Sequence, residues 1–184
     1  MIQRLFLLPA LLLLAACQTV QLERDFDPNR DFSGYRQWSW RDPAVRYQPE
    51  DPRLQSDLTE QRVREAVDGQ LEQRGLRPAP AGSQGDLQVQ AWLMVDKREQ
   101  QMVTHYGSMW GPWSGYWGPG YTEARTVEYQ VGTLQVDLYD ARDGKLVWRG
   151  SASQVLPSGS PGPQERATAI RETVAKVLSQ YPPH

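Results

Sequence analysis

Leu87, Val89, Ala91, Leu93 and Val95 occupy every second position of one segment, with Gln88, Gln90 and Asp96 among the residues on the opposite set. Successive side chains of a strand point to opposite faces, so this pattern fits a strand with one face buried and one face wet. It is the clearest alternation in the chain, and it commits the fold to a sheet whose apolar face needs a cover.

A second alternation, over about residues 126–139, changes phase. Val127, Tyr129 and Val131 are followed by Leu134, Val136 and Leu138. A period of two cannot skip a residue without moving every later side chain to the other face. Gly132 stands at the skip, which predicts a bulge or sharp bend there. Asp140-Ala141-Arg142-Asp143-Gly144 reads as a hairpin connection with Asp-Gly in the turn, and residues 146–155 as the return strand. Nearer the start, Val20, Leu22 and Phe26 mark a first strand, and Asp27-Pro28-Asn29-Arg30 a turn. Residues 34–40 form a second strand with Trp38 and Trp40 on one face. Residues 41–53, with Pro43, Pro49 and Pro52, read as a connector.

Two amphipathic helices complete the pattern. Val63, Ala66, Val67 and Leu71 form the stripe of a helix over about residues 56–74, with Gly75 as its left-handed stop. Residues 77–85 are a loop. Pro163 opens the last helix at its first position, and Ala167, Ile170, Val174, Val177, Leu178 and Tyr181 line one narrow face. The order β-β-α-β-β-β-α predicts an α+β fold, a largely antiparallel sheet of about five strands with two helices packed on one face. Trp38, Trp40, Trp92 and Trp148 fall on strands, where packing against the core or the sheet face is their expected role.

Cys17, the sole cysteine, directly follows an uncharged hydrophobic run over residues 5–14 and the small residues Ala15 and Ala16. Arg4 is the only charge before it. A membrane-spanning helix needs about 20 apolar residues, so this run is too short to cross. Leu14 is too large for the −3 position of an ordinary secretory cleavage site. The run Leu14-Ala15-Ala16-Cys17 resembles the lipobox of bacterial lipoproteins. That resemblance implies removal of residues 1–16 as a signal peptide, a diacylglyceryl thioether on Cys17, and acylation of the new amino terminus. Gln18, in place of the aspartate that commonly retains such proteins at the inner membrane, implies an outer-membrane anchor on the periplasmic face. One acyl chain binds membranes marginally, whereas two or three hold firmly.

Residues 17–184 suit a single domain, large enough to bury a core without disulfides. The formal net charge of −2 and the lack of a Lys/Arg block argue against nucleic acid or a polybasic membrane patch. Neither His105 nor His184 pairs with a nucleophile motif, and no zinc set or cofactor motif is present. Asp25, Asp27, Asn29 and Asp31 recur at calcium-loop spacing. Arg30 and Arg36, however, hold the places where that loop needs Gly and Glu. Turn-forming bonds to nearby amides explain the acids better. No metal, cofactor or catalytic residue is expected.

The stretch 105–121 is the candidate contact segment. Tyr106, Trp110, Trp113, Tyr116, Trp117 and Tyr121 are interleaved with five glycines, Pro112 and Pro119. Such rings suit stacking on sugars, a partner protein or lipid headgroups. The alternative is a long insertion between strands with one or two rings lying over the sheet.

Several stretches together resemble the DUF4136 family of bacterial envelope lipoproteins. They are Asp25-Phe-Asp-Pro28, Asp31-Phe-Ser-Gly-Tyr35 with Trp40, the helix ending in Arg74-Gly75, Asp86-Leu87-Gln-Val89, and Gly132-Thr-Leu-Gln-Val136. The most specific is Asp140-Ala141 through Gly144-Lys145-Leu-Val-Trp148-Arg-Gly150. The resemblance implies the fold and the envelope location, and no activity. A non-enzymatic outer-membrane lipoprotein binding an envelope protein or glycan is therefore expected. The rival readings are an accessory subunit of a transport or secretion assembly and a cell-wall hydrolase.

Overall fold

The computed structural model describes residues 20–52, 55–106, 121–159 and 161–183. It has an α+β architecture: strands β1 (Gln21–Phe26), β2 (Gln37–Gln48), β3 (Arg77–Pro78), β4 (Leu87–Tyr106), β5 (Tyr121–Asp140) and β6 (Leu146–Val155), with helices α1 (Asp57–Gln73) and α2 (Pro163–Leu178). The strands form one sheet in the order β1-β6-β5-β4-β2-β3. Pairing is antiparallel from β1 to β4 and parallel where β2 meets β4 and β3. The sheet is thus six-stranded and mixed, where the sequence predicts about five largely antiparallel strands. The extra strand is only two residues long, too short to show a period. The parallel pairing follows from α1 carrying the chain back across the face, because parallel neighbours need a long crossover.

One face of the sheet carries both helices. Leu87, Val89 and Ala91 of β4, Leu134, Val136 and Leu138 of β5, and Trp148 of β6 are buried with Val63, Val67 and Leu71 of α1 and Val174, Val177 and Leu178 of α2. Rings close one end of this core: Trp148 and Phe32 each meet Tyr181 edge-on, at 5.5 Å and 5.9 Å between centroids. Burial pushes the Tyr181 phenol well above its usual range. Gly150 is required by this packing. A Cβ there would stand 2.5 Å from Cη2 of Trp148 and 3.1 Å from Cγ1 of Val177.

The helix ends follow the sequence signals. Gly75 takes φ +86° just past α1, and Pro163 sits in the first turn of α2. Arg74 ties the two helices together. Its Nε donates to the carbonyls of Leu178 (2.6 Å) and Tyr181 (3.2 Å), and its Nη1 to that of Gln70 (2.8 Å). The Leu178 carbonyl also accepts the Tyr181 amide at 3.0 Å, and the guanidinium, held on α1 by Gln70, adds a second cap to the end of α2.

Three expectations are corrected. The prolines predict a connector over residues 41–53, yet β2 continues through Pro43 to Gln48. The register shifts between Trp40 and Val45, so Pro43 lies in a bulge, where its missing N–H breaks no ladder bond. Gln90 Nε2 donates to the Pro43 carbonyl at 3.0 Å, pinning that bulge. Second, β5 has no bulge at Gly132, because β4 and β5 stay in unbroken register from Leu87↔Asp140 to Tyr106↔Tyr121. The change of phase has another cause. Leu134, Val136 and Leu138 face the helices, while Val127, Tyr129 and Val131 lie on the other face of the same straight strand. A Cβ on Gly132 would stand 2.7 Å from Leu156 Cδ2, which accounts for the glycine. Third, His105, Tyr106 and Tyr121 belong to strands, so the interstrand segment is shorter than the predicted 105–121.

Candidate functional site: a hairpin arm

β4 and β5 are each 20 residues long, but their neighbours stop early. The β2 ladder ends at Gln48↔Met94, and the β6 ladder at Val131↔Val155. Beyond that row, residues 96–106 and 121–130 pair with each other, and among the described residues the one further backbone bond is from the Leu156 amide to the Gln130 carbonyl at the root. The result is a two-stranded arm about 35 Å long at about 3.4 Å per residue. Of the side chains described there, Tyr129 is half-buried and the others are exposed.

An isolated two-stranded hairpin is marginal in water. This one borrows its register from the six-stranded root. Cross-strand pairs then decorate it: Arg98 opposite Tyr129, Gln100 opposite Val127, Met102 opposite Arg125, and Thr104 opposite Glu123. His105 Nδ1 lies 3.0 Å from Thr122 Oγ1 across the ribbon. Glu99 faces Glu128 directly, a like-charge pair that weakens the middle of the arm. Met102 and Val103 are 55% and 51% exposed, on opposite faces. The arm thus presents an open apolar side chain on each face, with no cover among the described residues.

The predicted contact residues sort by position. The backbones of Tyr106 and Tyr121 close the described end of the arm. Trp110, Trp113, Tyr116 and Trp117, with Cys17 and the leader, lie outside the described residues. Sequence reasoning placed residues 126–130 in a strand with Val127, but missed its start at Tyr121, the partner strand over 96–106, and the exposure of Met102, Val103 and Val127. Beyond the alternation of Val127 and Tyr129, the β-branched pairs Val103-Thr104 and Thr126-Val127 were the arm's signal.

The remaining polar clusters are tied into the fold. Asp27 accepts from the Asn29 amide at 3.0 Å, and Asp31 from the Ser33 amide at 2.9 Å, so these acids close turns. Those bonds, with the Ser33 hydroxyl on Asp31, hold both carboxyls below their usual range. Asp140, fully buried, accepts from Arg142 (Nη2, 2.6 Å), Tyr35 (Oη, 2.9 Å) and Arg30 (Nη1, 3.0 Å). The Arg142 guanidinium, foremost, holds it well below the carboxylate range. On the helix-free face, buried Asp137 takes both arms of the Arg149 fork at 2.7 Å, with Gln135 and Tyr139 adding further bonds. Arg41 stacks 4.1 Å from the Tyr139 ring centroid beside them. Trp38 and Trp148 are core residues. Trp40 packs on the core and donates to Asp68 at 2.9 Å; Trp92 is half-buried under Arg46.

An open cleft of about 670 Å³ lies between the end of β2 and the start of α1, lined by Arg46, Tyr47, Glu50, Ser56, Asp57 and Glu60 among others. Burial raises the Asp68 carboxyl, on the flank of α1 next to this cleft. No group of three or more metal-ligating side chains occurs among the described residues, nor does any described helix have the length and apolarity to cross a membrane.

Several solved structures resemble the chain. A PDZ domain protein from Parabacteroides distasonis superposes with a TM-score of 0.56 at 16% identity, over 90% of this chain. The match spans only 36% of that longer protein. A DUF4136 family protein from Bacteroides thetaiotaomicron matches at 19% identity and TM-score 0.46, covering 89% of this chain and 96% of its own. PelC from Paraburkholderia phytofirmans, crystallised as a dodecamer, matches at 15% identity and TM-score 0.46, over 88% of this chain and 95–96% of its own in two crystal forms. No curated protein matches. The family model for DUF4136, a domain of unknown function, matches residues 22–183, so the chain belongs to that family.

Proposed function

We propose that this chain is a non-enzymatic lipoprotein, anchored through lipid on Cys17 at the periplasmic face of the outer membrane, that binds an envelope partner through its hairpin arm. The observation that carries the reading is the arm: an ordered ribbon, open on both faces, with Met102, Val103 and Val127 exposed. Topology adds to it. Gln21 opens β1 opposite Ser153, which pairs with Thr133 and so stands in the row of Met94. The chain therefore enters the sheet at the end from which the arm projects. At about 3.3 Å per extended residue, Cys17 lies within roughly 13 Å of Gln21. Anchor and arm then share one end of the molecule, and a partner is met close to the bilayer. In sequence, the aromatic segment 107–120 lies between the two strands of the arm.

Two variants test this in cells. Cys17→Ser is expected to release the chain from sedimented membranes. A chain whose residues 98–129 are replaced by a two-residue Asn-Gly turn is expected to stay on the membrane and lose its cross-linked partner. A partner that survives arm removal, or a Cys17→Ser chain that still sediments, overturns the corresponding half.

A further inference from the structure

The arm leaves two backbone edges open, and their chemistry differs. At its root, Leu156 N–H donates to the Gln130 carbonyl at 2.8 Å, on the β6 side. In an antiparallel ladder, residues turn their N–H and C=O to one neighbour and then the other in strict alternation. Thr122, Ala124 and Thr126, of the same parity as Gln130, therefore direct both groups to the outer edge of β5. No backbone partner meets them there among the described residues. Exposed, unpaired strand edges are ready templates for another strand.

We infer that this edge pairs with the same edge of a second copy, antiparallel, about a two-fold axis at Ala124. A two-fold axis normal to a sheet sets residues of one face opposite each other. With the axis at Ala124, the two Ala124 residues exchange hydrogen bonds, and Thr122 does so with Thr126 of the second copy, twice by symmetry. That closes about six backbone bonds. The intervening, non-hydrogen-bonded positions bring side chains closest, with Cα atoms about 4.5 Å apart. There Glu123 meets Arg125 of the second copy, again twice. On the other face stand Ala opposite Ala and Thr opposite Thr, pairs that a sheet accepts well.

Other edges do not offer this match. A two-fold at Arg24 on the β1 edge sets Glu23 against Asp25. The register of the outer β4 edge that sets Lys97 against Glu99 also sets Arg98 against itself. β3 is two residues long and ends in Pro78. Along the arm segment of β5, the register at Ala124 is the one that places acid opposite base. The paired edge is short, so the dimer is a weak one in solution, and it depends neither on lipidation nor on the aromatic segment.

Sedimentation equilibrium of the full chain, in a density-matched detergent at low ionic strength and over a range of concentrations, tests the inference. The wild type is expected to show a monomer–dimer equilibrium. E123R sets arginine against Arg125 twice per dimer, and R125E sets glutamate against Glu123 twice. Each is expected to weaken association by about tenfold or more. The double variant E123R/R125E restores the opposite-charge pairs and is expected to return association to within about threefold of wild type. T126P removes an outward N–H that takes no part in the β4 ladder, and is expected to abolish the dimer with unchanged circular dichroism. A wild type that stays monomeric at every concentration overturns the inference. So do single variants that dimerise like wild type, or a double variant that fails to recover. A dimer that persists while the cellular cross-link to a partner is absent sinks the proposed function alone.

Discussion

Replacing Asp140 with Asn tests what holds the start of the chain onto the sheet. Asp140 is fully buried at the end of β5, and its two oxygens receive Tyr35 Oη, Arg30 Nη1 and three donors of Arg142. Tyr35 and Arg30 come from the segment joining β1 to β2, so this one carboxylate joins regions more than a hundred residues apart. An asparagine keeps one oxygen and turns an NH₂ toward donors, leaving at least two without an acceptor. The bond to Arg30, whose side chain is 21% exposed, is charge-assisted and contributes about 1.5–3 kcal/mol; the buried Tyr35 bond adds about 1 kcal/mol. Arg142 is 77% exposed, and solvent screens its share of the interaction. The Arg30 and Tyr35 bonds together give a destabilisation of about 2.5–4 kcal/mol at pH 7, a fall in Tm of roughly 5–16 °C for a domain this size.

The pH dependence separates charge from shape. Asp140 titrates lower in the folded state than in the unfolded chain. Its contribution is therefore fully present above the unfolded pKa of about 3.9 and is lost as pH falls toward the folded one. Thermal melts of wild type and D140N, followed by circular dichroism from pH 7 to pH 3, should converge only below about pH 4. A gap in Tm that stays constant down to pH 3, or no gap at pH 7, would refute the electrostatic account.

Other perturbations follow from the packing. Gly150→Ala drives a methyl group into Trp148 and Val177 and should cost about 1–3 kcal/mol, read as a lower urea midpoint. Arg74→Met keeps most of the buried stem but removes the guanidinium from the carbonyls of Leu178 and Tyr181, the first of which keeps its bond from the Tyr181 amide; a loss of about 1–2 kcal/mol is expected, with faster hydrogen exchange confined to residues near 178–181. Asp68 is raised by burial, so its ionisation opposes folding at neutral pH. Asp68→Asn keeps an acceptor for the Trp40 indole and should raise the midpoint at pH 7 and not at pH 3. Glu128→Lys turns the repulsive pair with Glu99 into an attractive one and should slow amide exchange in the arm without moving global stability by more than about 0.5 kcal/mol.

The parts of this fold that bury one face were legible. β6, α1, α2, the stop at Gly75 and the turn at residues 140–144 each show a period or a turn chemistry that few other structures satisfy. The parallel pairing of β2 was not, because alternation encodes which face is apolar and says nothing of the neighbouring strand. Pro43 hid the second half of β2 by sitting in a bulge. The phase change around Gly132 was visible, but its cause was not: one straight strand packs helices on one face and exposes or half-buries residues of the other beyond its neighbours. The arm fared worst, since an element exposed on both sides has no periodic demand on its residues. Of the aromatic set, only the backbones of Tyr106 and Tyr121 fall among the described residues, at the end of the arm.

Neither strand of the arm contains a proline, and Gly132, at the row where the arm leaves the sheet, is the only glycine in either. There is no joint along its length. Whatever pushes on the far end is resisted as torque at the base, where the same two backbones carry Leu87, Val89, Val136 and Leu138 against the helices. The projection behaves as a lever with its fulcrum in the core, not as a tether, so a load at its tip strains the packing of the whole molecule.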